Sequence, residues 1–124
     1  MSMHPTRIST RRVYALPVAE GGLSILVDRL WPRGVAKGDG RVALWLRDIA
    51  PSAALRRQFH GNPTQWDAFV AAYAAELAAP TASEAVERLR QLMRDGPVTL
   101  VYASRDEEHN NATALRAWLE SHSH

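Results

Sequence analysis

A run of strand-forming residues that ends abruptly in charged and amide side chains constrains this fold more than any other stretch. Residues 98–103 follow Gly96-Pro97 and are rich in Val, Leu, Thr and Tyr, which favour an extended chain. Residues 104–111 are polar, and residues 112–119 then carry apolar side chains at helical spacing. The pattern predicts a strand, a polar turn and a helix, an arrangement whose turn commonly holds a ligand site in α/β folds.

A second strand is predicted at residues 24–27, where three consecutive apolar residues indicate burial on both faces. This strand ends in Asp28-Arg29 and leads into a loop, residues 29–41, that contains three glycines and four cations. A right-handed crossover would place strands 24–27 and 98–103 side by side and parallel. Both polar turns are therefore expected at the same edge of the sheet.

The first part of the chain predicts one more strand and two short helices. Residues 1–7 are expected to be a loose terminus, and residues 12–16 a short strand that Pro17 closes. Apolar residues favour a first helix over 42–49, and Ser52 is a plausible N-cap for a second helix over 53–59.

Two longer helices follow in the second half. Asn62 is predicted to cap the first, whose apolar stripe predicts a core-facing surface. The stripe consists of Trp66, Phe69, Val70, Tyr73 and Leu77. Thr81 with Glu84 forms the pattern of a capping box for the next helix. The prediction is a single α/β domain over 1–124: a small, mostly parallel sheet of about three strands covered by four to five helices, with Rossmann-like layering.

Composition excludes several function classes. The 124 residues include no cysteine, which rules out disulfides and thiolate catalysis. No apolar stretch approaches the length of a membrane span, so a soluble cytoplasmic protein is expected. Residues 1–60 carry ten Lys or Arg against four acids, and residues 61–124 five against nine. The basic half could attract nucleic acid, although fourteen arginines and twenty alanines also fit a bias in coding composition.

The two polar turns bring together two Asp/Arg pairs, Asp28-Arg29 and Arg105-Asp106. Neighbouring carboxylates can divide acid and base roles, and arginines can clamp a phosphate or carboxylate. The alternative is structural, with each Asp paired to the Arg of the other turn. We predict Asp28 as a catalytic residue on the first interpretation.

Asp106 and His109 are predicted as further catalytic residues, because three residues along a helix bring a carboxylate and an imidazole to one face. The alternative for Asp106 is an N-cap, with Glu107 and Glu108 complementing the helix dipole. No third ligand is fixed by spacing, so no metal site is assigned, and His60 is a weaker candidate.

Ligand-binding candidates come from both turns and the glycine-containing loop. Residues 34–40 could wrap an anion or merely turn, and Trp31 could fill the core or stack on a ligand. The predicted ligand-binding residues are Arg29, Trp31, Arg33, Lys37, Arg105, Asn110 and Asn111.

Three stretches, residues 25–34, 45–52 and 98–112, resemble the bacterial family called domain of unknown function 488, the YeaO-like proteins. The resemblance spans roughly residues 8–119 and implies a small cytoplasmic α/β protein without an established substrate. Some relatives carry a uroporphyrin-III methyltransferase label, but this sequence has no glycine-rich site for a nucleotide methyl donor.

The leading hypothesis is a charged cleft that binds a phosphorylated or nucleotide-like anion, with hydrolysis of that ligand left open. A non-enzymatic nucleic-acid-binding or regulatory module is the alternative, and a protein-interaction subunit without chemistry is the third. Steep weakening of binding by salt would distinguish nucleic acid from a small ligand. The sequence identifies neither a cofactor nor an oligomeric state.

Overall fold

A computed structural model of the chain describes residues 8–15, 22–38, 40–59 and 62–122. Four parallel strands form one sheet in the order β1-β4-β2-β3. The strands are β1 (Ile8–Arg12), β2 (Leu23–Leu26), β3 (Leu44–Trp45) and β4 (Val98–Tyr102). The predicted α/β fold is confirmed, with one strand more than expected.

Strand β4 lies inside the sheet because all five of its residues are apolar or small enough to be buried. It pairs in parallel with β1 on one side and β2 on the other, with Leu100 opposite both Thr10 and Ile25. The predicted adjacency of the two apolar strands is therefore confirmed. Their carboxyl ends meet at one edge of the sheet, where both polar turns begin.

Gly22 fixes the distance between the entries to β2 and β4. Its φ of 78° lies in the left-handed region, and a Cβ there would stand 2.1 Å from the carbonyl oxygen of Pro97. The next residue, Leu23, donates its N–H to that same carbonyl at 3.1 Å. Only glycine satisfies both the conformation and the close approach.

All four α-helices pack on one face of the sheet. They are α1 (Ala53–Phe59), α2 (Trp66–Ala78), α3 (Ser83–Asp95) and α4 (Asn111–Ser121). Short 3-10 turns precede three of them at Arg47–Ile49, Pro63–Gln65 and Pro80–Ala82. The predicted stripe of α2 is confirmed, since Phe69, Tyr73 and Leu77 are buried in the main core and Trp66 and Val70 pack against it.

The second face of the sheet has a smaller apolar cluster. Val13, Leu26, Val35 and Val101 are its buried members, and no helix covers them in the part of the chain that the structure describes. Trp31 packs edge-on against Trp45 at 5.5 Å. The segment between β2 and β3 therefore covers this face.

Four predictions of local structure are wrong. The helix expected over 42–49 is replaced by β3, which pairs with Ile25 and Leu26 because the open edge of β2 takes a partner, and by a 3-10 turn. The first strand lies at 8–12 instead of 12–16, since a turn closed by the hydrogen bond from the N–H of Ala15 to the Arg12 carbonyl oxygen ends the strand.

Two predicted helix caps are also wrong. Asn62 does not cap α2, because the 3-10 turn Pro63–Gln65 lies between them and Gln65 occupies the N-cap without a side-chain hydrogen bond. The Thr81–Glu84 capping box is absent as well. Ala82 occupies the N-cap of α3 without a side-chain hydrogen bond, because a 3-10 turn runs directly into the helix. The expected loose terminus, residues 1–7, and the end of the predicted first strand, Leu16, lie outside the described residues.

Candidate functional site

A cavity of about 600 Å³ opens at the carboxyl edge of the sheet. Its wall combines the turns that follow β2 and β4 with the first two helices. The lining residues are Asp28, Arg29, Pro51, Ala53, Arg56, Arg57, Phe59, Phe69, Ala103, Ser104, His109, Asn110 and Asn111. The parallel pairing of β2 and β4 thus brings together residues that are more than 70 positions apart in the chain.

Asp28 is held in place on both of its carboxylate oxygens. Oδ2 accepts the N–H of Ala103 at 2.9 Å, and Oδ1 accepts Nδ2 of Asn111 at 3.1 Å. Asn111 is in turn fixed by a second hydrogen bond from Nδ2 to the carbonyl oxygen of Val27 at 2.9 Å. Burial raises the pKa of Asp28, and these two hydrogen bonds with the positive charge of Arg56 oppose the rise.

Asp106 organises the turn after β4 instead of capping the last helix. Its Oδ1 accepts the N–H groups of Glu108 and His109, both at 2.9 Å. The N–H groups of His109 and then Glu108 lower the pKa of Asp106. The alternative in which Asp106 is the N-cap is therefore wrong, because its carboxylate closes a turn five residues before α4 begins at Asn111.

Asn110 is the residue that caps α4. Its Oδ1 accepts the N–H of Thr113 at 2.9 Å, while the Thr113 hydroxyl accepts the N–H of Asn110 at 3.2 Å. The amide also donates to the carbonyl oxygen of Asp106 at 2.9 Å. Although Asn110 lines the cavity, it is 2% exposed and its amide is committed to the turn and the helix.

His109 connects this turn to α2. Its Nδ1 lies 3.2 Å from Oδ2 of Asp106, so the predicted pairing of the two side chains is present, in a turn instead of a helix. The ring packs edge-on against Trp66 with centroids 5.1 Å apart. These contacts hold the imidazole in the wall of the cavity.

Three arginines surround the opening. Arg29 follows β2, and Arg56 and Arg57 belong to the last turn of α1. Their guanidinium groups make no hydrogen bond or ion pair with the residues that the structure describes. Asp28 is the one carboxylate in the described lining, so the cavity carries more positive than negative charge.

Sequence reasoning missed the contribution of α1. Arg56, Arg57 and Phe59 come from a helix that adjoins neither β2 nor β4 in the sequence, and only the packing of α1 on α2 brings them to the site. Phe59 stacks on Phe69 with ring centroids 4.6 Å apart. Phe69, which belongs to the predicted apolar stripe of α2, is thus both a core residue and part of the cavity wall.

Five of the predicted site residues do not line this cavity. Trp31 donates from Nε1 to the carbonyl oxygen of Val35 at 2.6 Å and belongs to the cluster on the second face. Lys37 lies over the Trp31 ring at 5.7 Å. Arg33 and Arg105 are exposed, and Asp106 faces the turn.

The glycine-containing loop does not line the cavity either. Gly34 and Gly40 have φ values of 77° and 92°, in the left-handed region, and a role in turning the chain accounts for both glycines.

The structural alternative for the two Asp/Arg pairs is also absent. Asp28 accepts from Ala103 and Asn111, and Asp106 accepts from its own turn, so neither pairs with the arginine of the other turn. Among the described residues no group of three His, Asp or Glu side chains could hold a metal ion. No helix in the described ranges is long and apolar enough to cross a bilayer.

Comparison with known proteins identifies the family. A family profile described as "Inactive DUF488-N3 subclade" matches residues 7–124. The chain belongs to the DUF488 family. This confirms the resemblance that the three motifs indicated, and no solved structure matches the chain.

Two similar proteins illustrate the family. "Uncharacterized protein YeaO" of Escherichia coli (strain K12) is 39% identical over 114 residues, which are 92% of this chain and 97% of that protein. "Uncharacterized protein Rv3073c" of Mycobacterium tuberculosis (strain ATCC 25618 / H37Rv) is 39% identical over 114 residues, which are 92% of this chain and 94% of that protein. Both relatives extend over almost the whole length of this DUF488 chain.

Proposed function

We propose that this protein binds a small organic anion, phosphorylated or nucleotide-like, in the cavity at the carboxyl edge of the sheet. The observation that carries the proposal is the set of three guanidinium groups at the opening, Arg29, Arg56 and Arg57, without carboxylate partners among the described residues. Guanidinium groups bind phosphate and carboxylate through paired hydrogen bonds. A cationic opening therefore suits an anionic ligand.

The wall behind the arginines suits the rest of such a ligand. Phe59 and Phe69 are 8% and 4% exposed and present stacked rings, and Pro51 is buried beside them. Ligand sites in proteins commonly combine an apolar wall with a few polar groups, in volumes of about 300–1,000 Å³. The cavity, at about 600 Å³, has room for a nucleotide-sized molecule.

Binding without hydrolysis is the form of the hypothesis that we favour. Asp106 does not line the cavity, so Asp28 has no second carboxylate with which to divide acid and base roles. The description of the matched family also contains the word "Inactive".

Bacterial relatives favour a bacterial source for this chain, and a cytoplasmic location remains a prediction.

Removing the arginines one at a time tests the proposal. The panel is AMP, CMP, glucose 6-phosphate and inorganic phosphate, measured by isothermal titration calorimetry. We expect Arg56→Ala and Arg57→Ala each to weaken binding of the organic phosphates by about 1.5–3 kcal/mol, the value of a hydrogen bond to a charged group. Arg88→Ala is the matched control, because Arg88 is an exposed arginine of α3 that does not line the cavity. Failure of every compound to bind the wild type would refute the proposal.

Nucleic-acid binding is the second candidate, favoured by the ten cations of residues 1–60. It predicts that an oligonucleotide binds with an affinity that falls steeply as salt rises, through the release of counterions. The cavity proposal predicts a mild salt dependence and saturation by a mononucleotide. Titrations of both ligands at 50 and 200 mM salt, roughly the range over which such contacts weaken, separate the two functions.

A further inference from the structure

We propose that the cavity selects anions whose inner end carries an amino group, such as the exocyclic NH2 of adenine or cytosine, and that Asp28 makes the selection. The inference rests on the proposed function and specifies the class of ligand for the same site. It comes from the way in which hydrogen-bond donors and acceptors are separated between the opening of the cavity and its inner wall.

Donors lie at the opening. Arg56 and Arg57 are exposed, and a guanidinium offers only N–H groups. An anionic group of the ligand is satisfied there. The part of the ligand that reaches past the arginines meets a different set of groups.

The inner wall offers acceptors. An ionised carboxylate has about four acceptor positions. Asp28 uses two of them, for the N–H of Ala103 and Nδ2 of Asn111. The positions left on Asp28 can accept hydrogen bonds from a ligand, and a ligand group without a hydrogen to donate would leave them unpaired.

Asn111 reinforces this preference. Its Nδ2 donates to both Val27 and Asp28, which fixes the orientation of the amide. Its Oδ1 is therefore turned away from those partners and accepts no hydrogen bond from the described residues. A second acceptor thus stands beside the carboxylate in the lining of the cavity.

The ring contacts determine which kind of amine fits. Phe59 and Phe69 stack on each other and both line the cavity, and a planar heterocycle packs better against such aromatic side chains than an alkyl ammonium does. A ring NH2 would donate to Asp28 while the phosphate meets the arginines. The corresponding oxo ring would place a carbonyl oxygen against a carboxylate oxygen, where neither can donate.

Matched ligand pairs test the inference with the wild-type protein alone. AMP and IMP differ by amino against oxo, as do CMP and UMP. A site that hydrogen-bonds a substrate group discriminates strongly against an analogue that lacks it. We expect the amino member of each pair to bind at least about tenfold more tightly, as measured by calorimetry, which corresponds to about 1.4 kcal/mol.

Variants then assign the discrimination to Asp28. Asp28→Asn introduces an NH2 that can donate to an oxo group, so the amino preference should fall to about threefold or less, or reverse. Arg57→Ala is the matched control, since Arg57 lines the cavity without acting on the pKa of Asp28, and its removal should weaken all four nucleotides while keeping the ratio within each pair. Circular dichroism establishes that each variant is folded. If Asp28→Asn does not fold, Asn111→Ala replaces it, and the same loss of preference is expected because Asp28 loses its orienting amide.

The outcomes separate this inference from the proposed function. Equal binding of AMP and IMP, and of CMP and UMP, by the wild type would overturn the selection by Asp28 while leaving an anion-binding cavity. An amino preference that persists unchanged in Asp28→Asn would overturn the role of this residue. Absence of binding by all four nucleotides and by the other phosphates would overturn both proposals.

Discussion

Asp28 illustrates at the scale of one residue how a site residue influences stability. Burial raises its pKa above the usual value of 3.8, so the folded protein holds this proton more tightly than the unfolded chain does. Tighter binding of this proton stabilises the folded protein. This contribution to the free energy of unfolding is fully present below pH 3.8 and is lost as the pH rises through the raised pKa of the folded state. The ionised carboxylate is therefore less favourable in the folded protein than in the unfolded chain.

The first prediction follows from that sign. We expect the stability of the wild type relative to Asp28→Asn to increase as the pH falls from neutral toward 3.8, because the asparagine does not titrate. Urea unfolding of both proteins at several pH values in that interval measures the difference. A difference that decreases on acidification would contradict a raised pKa.

Arg11 provides a second prediction at this scale. It is 8% exposed on the second face of the sheet, burial lowers its pKa, and its Nε has no hydrogen-bond partner in the described ranges of the chain. Its remaining contacts, to Ser24 Oγ at 3.4 Å and the Arg41 carbonyl oxygen at 3.2 Å, are long. We expect Arg11→Met to leave the free energy of unfolding unchanged or to raise it by about 1 kcal/mol, because a buried charge is replaced by an apolar chain.

Arg12 supplies the control for Arg11. It donates from Nε to the Ser104 carbonyl oxygen at 2.9 Å and lies 5.1 Å from the centre of the Tyr14 ring. Arg12→Met should therefore lower stability by about 1 kcal/mol. Thermal and urea unfolding of the two neighbouring variants compares them directly. A larger loss for Arg11→Met than for Arg12→Met would show that the buried arginine stabilises the fold.

At the scale of elements, the turn between β4 and α4 forms the part of the cavity wall that contains His109. Asn110 joins the turn to the helix through hydrogen bonds to Thr113 and to Asp106. We expect Asn110→Ala to lower the free energy of unfolding by about 1–2 kcal/mol, the value of a helix cap. Asn62→Ala is the matched control, because the exposed side chain of Asn62 accepts hydrogen bonds only from Thr64 among the residues described. Its removal should cost about 0.5 kcal/mol or less. Equal losses in urea unfolding would contradict the capping role.

Local patterns predicted some of these elements and could not predict others. The apolar runs at 24–27 and 98–102 identify strands because burial on both faces leaves little ambiguity, and their shared edge follows from the handedness of the crossover. Residues 44–45 form a strand only because β2 offers an open edge. Similarly, Asp106 and Asn110 are both good caps, and which one begins the helix depends on the turn that Asp106 closes.

The same distinction applies to the site. Asp28 lies just after β2, and His109 lies in the turn between β4 and α4. Their positions in the chain therefore indicate the edge of the sheet at which they lie. Arg56 and Arg57 reach the cavity only through the packing of α1 on α2, which no local pattern encodes. The prediction that Arg105 contacts a ligand stays a prediction, and its exposed position makes it a smaller contributor than the arginines of α1.

At the scale of the whole molecule, β4 is the element on which the others depend. It pairs with β1 and β2, and all five of its residues are buried. We expect the amides of Val98–Tyr102 to exchange hydrogen most slowly, with protection close to that of global unfolding, and those of Leu44–Trp45 at the sheet edge much faster. Hydrogen exchange followed by mass spectrometry measures both. Faster exchange in β4 than in β3 would contradict this hierarchy.

The segment between β2 and β3 gives the molecule a weak point toward proteases. It contributes Val35, Trp31 and Val42 to the cluster that contains Leu26 and Val101. It also presents the exposed cations Arg33 and Lys37, both trypsin sites. One cleavage after Lys37 would separate the part of the segment attached to β2 from the part attached to β3. The second apolar cluster would then be exposed to water. We expect limited trypsin digestion to yield few stable nicked molecules, because the first cut here commits the whole domain to degradation. Persistence of a nicked, folded form would mean that the helical layer and sheet sustain themselves without this cover.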